Sequence, residues 1–182
     1  IAWGKNKTSK KVSGLFNFKT QFKKYDHNTE GKINIVQYSP TSYLRFCNSG
    51  MLHFSQFKNN VKFQKRFLQN LNKKLLKKTK IRLSHSQHLK NYERETWHDD
   101  ILKLELEGRK VPIKKSIEES RLLIYNDLTS TLFLETISSN IPSILFLQNY
   151  KNYIDKKYKA FFLQLEKAGI IYDNPLKLSK FI

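Results

Sequence analysis

Acidic residues are scarce in this chain, and their distribution is uneven. Not one Asp or Glu lies between Glu30 and Glu93, and 15 acids face 34 Lys and Arg over 182 residues, a formal net charge of +19. A field of that sign attracts polyanions, whether nucleic acid, an anionic lipid surface or nucleotide phosphate. Of the 34 basic residues 28 are Lys, and Asn and Ile are also common, so a bias in composition accounts for part of the charge on any fold. Charge therefore names a class of partners and no function. A single cysteine, Cys47, excludes an internal disulfide and a cysteine-based zinc site and fits a reducing compartment. Glycine is rare, and neither GxGxxG nor GxxxxGK[ST] occurs, which leaves hydride transfer and P-loop chemistry without support. No apolar run approaches the roughly 20 residues of a bilayer crossing. The chain opens at Ile1 rather than Met, with no charged-then-apolar leader, so it is expected to be soluble, cytoplasmic and part of something longer.

What is present is enough apolar and aromatic residue, 39% and 13%, to build one substantial core. Residues 1–30 carry turn formers and lysines without a sustained period and read as an irregular lead-in or linker; residues 31–182 read as one domain. Lys32 to Gln37 is β-branched and reads as a strand, Ile81 to Leu83 as a second, Leu122 to Tyr125 as a third, Ser143 to Leu147 as a fourth and Ile170 to Tyr172 as a short last one. Between them, apolar residues from Phe57 to Leu76 recur at three- and four-residue steps, predicting one amphipathic helix from Phe54 to about Lys78. His85 to Tyr92 reads as a loop and Trp97 to Val111 as a helix or helix-turn closing at Gly108. A short helix is expected from Ile113 to Ser120, with Ser116 and Glu119 in capping-box spacing. The Thr131 to Ser139 helix is expected to bury Leu132, Phe133, Leu134 and Ile137, and to end at Asn140 before Pro142. A further helix runs from Asp155 to Ala168 and stops at Gly169, and Pro175 opens a last one. Strands alternating with helices predict an α/β fold, a Rossmann-like parallel sheet covered on both faces.

The stretch from Asn126 to Thr131 occupies the carboxyl end of the third predicted strand, where open parallel sheets bind their ligands. Thr129, Ser130 and Thr131 place three hydroxyls at a helix start, whose free N–H groups and dipole suit a phosphate. Glu135 follows one turn later on the same side, in reach of sugar hydroxyls. The plain alternative is that Thr129 or Ser130 is a simple N-cap and Glu135 a solvated helix residue.

The run RLLIYNDLTSTLFLETISSNIPSILF, with AFFLQLEKAGIIYDNP after it and AWG at the opening, resembles the C-terminal part of bacterial surface-carbohydrate transferases of the lipopolysaccharide and capsule type, similar to GT-B glycosyltransferases. Ser130, Thr131, Leu134, Glu135, Asn140, Ile141 and Pro142 match that pattern; Ser143 stands where Thr is usual. The resemblance is dense over about the last sixty residues. It implies one half of a GT-B fold, with Ser130 and Thr131 holding the phosphate of a nucleotide-sugar donor and Glu135 orienting it. It implies no cofactor beyond that donor, a glycan or lipid-linked acceptor, and an N-terminal domain expected to supply the acceptor side and the base.

Arg82 and His85 follow the second predicted strand and are placed to neutralise a donor phosphate, or are simply an arginine and a loop histidine. His85 and His88 lack a convincing third metal ligand. Asp99 and Asp100 in Trp97-His98-Asp99-Asp100 are a base or cation pair, or more often a helix cap. Arg121 sits at the wrong end of its strand and reads as structural. The lysines of the long helix either follow a nucleic-acid backbone, hold the protein at an anionic membrane surface, or are solvated. A basic nucleic-acid-binding module is the competing class, without an RRM, KH or helix-turn-helix pattern to support it. A non-catalytic domain that keeps the fold is a third reading.

Overall fold

A computed structural model describes residues 28–37, 54–83, 90–97, 102–108, 110–128, 130–152 and 154–182. Residues 1–27 of the expected lead-in, the loop after the first strand, His85, His88, Asp99, Asp100 and Thr129 lie outside these residues, and residues 90–92, expected as loop, are helical. Six parallel strands form one sheet: β1 Lys32–Val36, β2 Thr79–Arg82, β3 Glu105–Glu107, β4 Ser120–Tyr125, β5 Ser143–Phe146 and β6 Ile171–Tyr172. Their spatial order is β3-β2-β1-β4-β5-β6. The chain moves outward from β1 to β3, returns across the sheet to β4, and moves outward again on the other side. That is the doubly wound Rossmann arrangement, with its reversal between β1 and β4.

The helices are α1 Phe54–Gln69, α2 Lys73–Lys77, α3 Lys90–Trp97, α4 Ile113–Glu118, α5 Thr131–Ser138, α6 Lys159–Lys167 and α7 Pro175–Phe181. On one face of the sheet Ile33, Ile35, Ile81, Ile144 and Phe146 pack against α1 (Val61, Phe63, Phe67, Leu68), Trp97 of α3 and Leu178 of α7. Phe146 stacks on Phe63 with ring centroids 4.4 Å apart; burying one such ring is worth about 1.5–3 kcal/mol. On the other face Leu123, Tyr125, Leu145 and Ile171 pack against Ile117 of α4 and Phe133 of α5, with Phe162 and Leu165 of α6 alongside. Gly31, just before β1, is required by close approach, because a Cβ there would lie 2.7 Å from the Glu119 carbonyl and the Arg121 nitrogen.

Several local expectations are corrected. The predicted single helix from Phe54 to Lys78 is two, because the Asn72 side chain accepts from Lys74 N at 2.9 Å and starts a new helix. Trp97 ends a helix rather than opening one, and residues 105–107 form an edge strand paired to β2. Ser116 caps nothing: it lies inside α4, buried, with its hydroxyl turned to the sheet. On α5 the buried residues are Phe133 and Thr136, while Leu134 and Ile137 are 49% and 39% exposed. The helix expected from Asp155 begins as a 3-10 turn, Lys156–Tyr158, and becomes α-helical at Lys159. The expected helix ends hold, with Asn140 at φ 55° and Gly169 at φ 72°, the left-handed conformation that closes a helix.

Candidate functional site

Ligands of doubly wound sheets bind outside the carboxyl ends of the strands at the point where strand order reverses. Here that crevice is bounded by Gln37 after β1 and by Asn126 and Ser130 after β4. Ser130 is the N-cap of α5: its backbone is extended, and its Oγ accepts from Phe133 N at 3.3 Å. Capping uses only a lone pair, so the hydroxyl proton stays free to be donated outward. Thr131, next in sequence, is exposed. The N–H groups of Thr131 and Leu132 have no intrahelical carbonyl to bind. The first turn of α5 contains no acid, so nothing on that turn opposes an incoming anion at the positive end of the helix dipole.

Glu135 stands one turn along and is half-buried. Burial first, and then the nearby Glu135 charge, push the Tyr125 hydroxyl well above the usual tyrosine range, so this phenol stays protonated. Its oxygen lies 3.2 Å from the Thr136 hydroxyl, which also accepts from Ser143 at 2.9 Å. The helix is thus seated on β4 and β5 by a buried hydroxyl cluster, which fixes where its first turn points.

Sequence reasoning passed over a second set of residues at the same place. Asn126 Nδ2 donates to Gln37 Oε1 at 2.9 Å, Gln37 Nε2 to Gln64 Oε1 at 2.6 Å, and Gln64 Nε2 to Asn60 Oδ1 at 3.3 Å. Asn126, Gln37 and Gln64 are all buried. This chain of amides ties the end of β4 to the end of β1 and to α1, so the two sides of the crevice are held at a fixed separation. Its signal in the sequence was an amide directly after each of two apolar strands, a poor place for a polar side chain unless it has a partner.

Arg82 ends β2, one strand further out, and its side chain is buried and engaged. It pairs with Glu107 Oε1 and donates to the Val111 carbonyl at 3.0 Å. Glu107 also binds Lys80 at 2.5 Å and accepts from Ser116 at 2.6 Å, and Ser116 accepts from Asn34 at 2.7 Å. Burial pushes the Glu107 carboxyl up, but hydrogen bonds from Lys80, Ser116 and Arg82, with the Lys80 charge, outweigh it and hold it below the ordinary value of 4.5. The arginine expected to face a phosphate is therefore occupied in binding the sheet's β2–β3 edge. Ser130, Thr131 and Glu135 lie together at the start and first turns of α5, and the Arg82 side chain binds Glu107 and the Val111 carbonyl. Among the described residues no group of three His, Cys, Asp or Glu is arranged to hold a metal ion.

The whole chain, residues 1–182, matches the model of one protein family, described as LIC12162 family transferase. No curated protein and no solved structure matches it.

Proposed function

The chain belongs to the LIC12162 family of transferases, and on that premise we propose that it transfers a sugar from a nucleotide-sugar, with the α5 start as its donor-phosphate site. The observation that carries this reading is the position of Ser130 and Thr131. They open a helix at the carboxyl end of β4, directly beside the reversal of strand order. In this reading the Thr131 and Leu132 N–H groups and the Ser130 and Thr131 hydroxyls hold the donor diphosphate, and Glu135 accepts from ribose or sugar hydroxyls. As the bond from the sugar's anomeric carbon to the phosphate oxygen breaks, its electron pair goes to that oxygen. Donors and a dipole already aimed there stabilise the charge as it develops.

Thr129 and His85, outside the described residues, belong to the same proposed site, while Arg82 serves it only by fixing the sheet. The resemblance over the last sixty residues supports a GT-B type of enzyme, with acceptor and base contributed from outside residues 31–182. A role in bacterial surface-polysaccharide synthesis follows from the same resemblance.

The test is calorimetric titration of the chain with UDP, GDP and CMP at moderate and high salt, with a short single-stranded RNA as comparison, repeated on Ser130→Ala/Thr131→Ala. One nucleotide binding in both salts and lost in the variant supports the donor site. Binding of RNA alone, with steep salt dependence and no effect of the variant, reduces the hydroxyls to a helix cap.

A further inference from the structure

Around α4 and α6 acids stand among the cations and pair with them: Lys114 with Glu118, Lys115 with Glu119, Lys157 with Asp155, and Lys151 with Glu166 and Asp173. On the other face of the sheet α1 and α7 carry no acid at all. Both pack on the same core, α1 through Val61, Phe63, Phe67 and Leu68 and α7 through Leu178, and they lie against each other. Their outward sides therefore form one continuous surface. Glu95 belongs to α3, which connects β2 to β3 at the edge of that layer. A bias in composition explains why lysine is common; it does not explain why acids are kept off these two helices.

Lys58, Lys62 and Arg66 follow one another at four-residue steps on α1, each about 6 Å further along the axis on the same side, and all three are exposed. Phe63, Gln64, Phe67 and Leu68 are buried, so the cations hold the side turned away from the sheet. On α7 the exposed Lys180 stands across the helix from the buried Leu178, with the exposed Lys177 one turn before it. Leu176, 53% exposed, precedes Lys180 by four residues on the same side. Lys62, Arg66 and Lys180 form no ion pair among the described residues, and Lys177 acts on Glu166 only from beyond ion-pair distance. Like charges at successive turns oppose one another on a helix. With no acid on either helix to relieve them, the relief comes from an anion outside the molecule.

We propose that the outward face of α1 and α7 is a docking surface for an anionic lipid bilayer, with Lys62, Arg66, Lys177 and Lys180 pairing with headgroup phosphates and Leu176 settling among them. A plane of phosphates meets cations on two adjacent helices at once, and each such residue adds to the attraction. A nucleic-acid strand is instead held in a basic groove with aromatic faces for its bases. Here the surface is two convex helices, and Phe181, the exposed ring on α7, is turned against Tyr172 with ring centroids 5.3 Å apart. Helix α1 also walls the switch-point crevice, since Gln64 on its inward side donates to nothing in lipid but accepts from Gln37 at 2.6 Å. The helix that faces the bilayer on one side thus bounds the candidate site on the other. The surface shares no residue with the α5 start and stands independently of the donor-site reading.

The experiment is co-sedimentation of the whole chain, at about 0.15 M salt, with vesicles of phosphatidylglycerol in phosphatidylcholine and with vesicles of phosphatidylcholine alone. The chain is expected to bind the anionic vesicles only, and less as salt rises. Lys62→Ser/Arg66→Ser and Lys177→Ser/Lys180→Ser should each lower the partition coefficient by about fivefold per residue, and Leu176→Ser on the order of fivefold. Lys114→Ser/Lys115→Ser, which removes the same charge from α4, should change it by less than about twofold. All these side chains are exposed, and an unaltered melting curve for each variant confirms the fold. Absence of binding to anionic vesicles overturns the proposal. So does an equal loss in the α4 variant, which would assign the binding to net charge rather than to this face. A nucleic-acid surface replaces it if a short RNA binds more tightly than the vesicles, is lost with the α1 and α7 lysine and arginine variants, and ignores Leu176→Ser.

Discussion

One row of residues crosses the whole sheet in register, from Glu107 through Arg82, Val36, Tyr125 and Leu145 to Ile171. On β3 and β2 the row is ionic, and from Val36 of β1 outward through β4, β5 and β6 it is apolar apart from one phenol. The same face of the same sheet is thus held by two chemistries. In the ionic half Lys80, Arg82 and Ser116 all bind the Glu107 carboxylate, so its loss exposes several groups. In the apolar half the work is spread over Leu123, Leu145, Ile171, Ile117 and Phe133, and the polar groups gather at the helix start instead. Stability is concentrated in one half, and free hydrogen-bonding capacity is left at the crevice of the other.

The sharpest way to break this contrast is Glu107→Gln. Removing the charge leaves Arg82 buried with no counter-ion and Lys80 with only the more exposed Glu119, 3.5 Å away, and a cost of about 3–5 kcal/mol is expected in urea unfolding at neutral pH. Replacing all three by Met should instead be neutral or stabilising by about 1–4 kcal/mol. If Glu107→Gln costs under about 1 kcal/mol, the ionic half is not held as described.

The apolar half should answer differently. Leu145→Ala removes a side chain that is 2% exposed and should cost about 2–5 kcal/mol through lost transfer energy and a cavity, with the same deficit relative to the parent at pH 4 and pH 7. The ionic contribution depends on pH. Glu107 titrates below 4.5 in the fold, so between its folded and unfolded values the unfolded chain binds more protons. Its contribution is complete above the unfolded value and is lost as pH falls through the folded one, at up to about 1.4 kcal/mol per pH unit. The parent and Leu145→Ala should show that acid slope, and Glu107→Gln should show a smaller one; equal slopes in all three would place the acid sensitivity elsewhere.

Much of this was legible in the sequence and some was not, for reasons that can be named. The strands and the ends at Asn140 and Gly169 were readable because β-branched runs and left-handed caps are local signals. Strand β3 was missed because Glu105-Leu106-Glu107 carries two charges, and a strand of that composition makes sense only beside Lys80 and Arg82. The three strands in fact share one alternation, Lys32/Asn34, Lys80/Arg82 and Glu105/Glu107 polar against Ile33/Ile35, Ile81 and Leu106 apolar. In a sheet covered on both faces such a pattern requires buried charges of opposite sign to pair. Leu134 and Ile137 were assigned inward because only apolarity was read, whereas the buried position belongs to Thr136, which is satisfied by Tyr125 and Ser143. Asn126 and Gln37 are distant in sequence, and only the return of the chain to β1's other side makes them neighbours.

The smallest expected effect on stability separates the cap from the anion site. Ser130→Ala removes a cap and should cost about 1 kcal/mol whether or not any ligand exists, so its loss of binding alone is ambiguous. Thr131→Val is nearly isosteric at an exposed first-turn position, so stability should stay within about 0.5 kcal/mol of the parent. Losing one hydrogen bond to a charged oxygen, worth about 1.5–3 kcal/mol, should nevertheless weaken nucleotide binding by roughly ten- to a hundredfold. An unchanged melting curve with weakened binding assigns the Thr131 hydroxyl to the ligand rather than to the helix. An unchanged melting curve with unchanged binding leaves any phosphate to the backbone N–H groups and the Ser130 hydroxyl, and narrows the site by one residue.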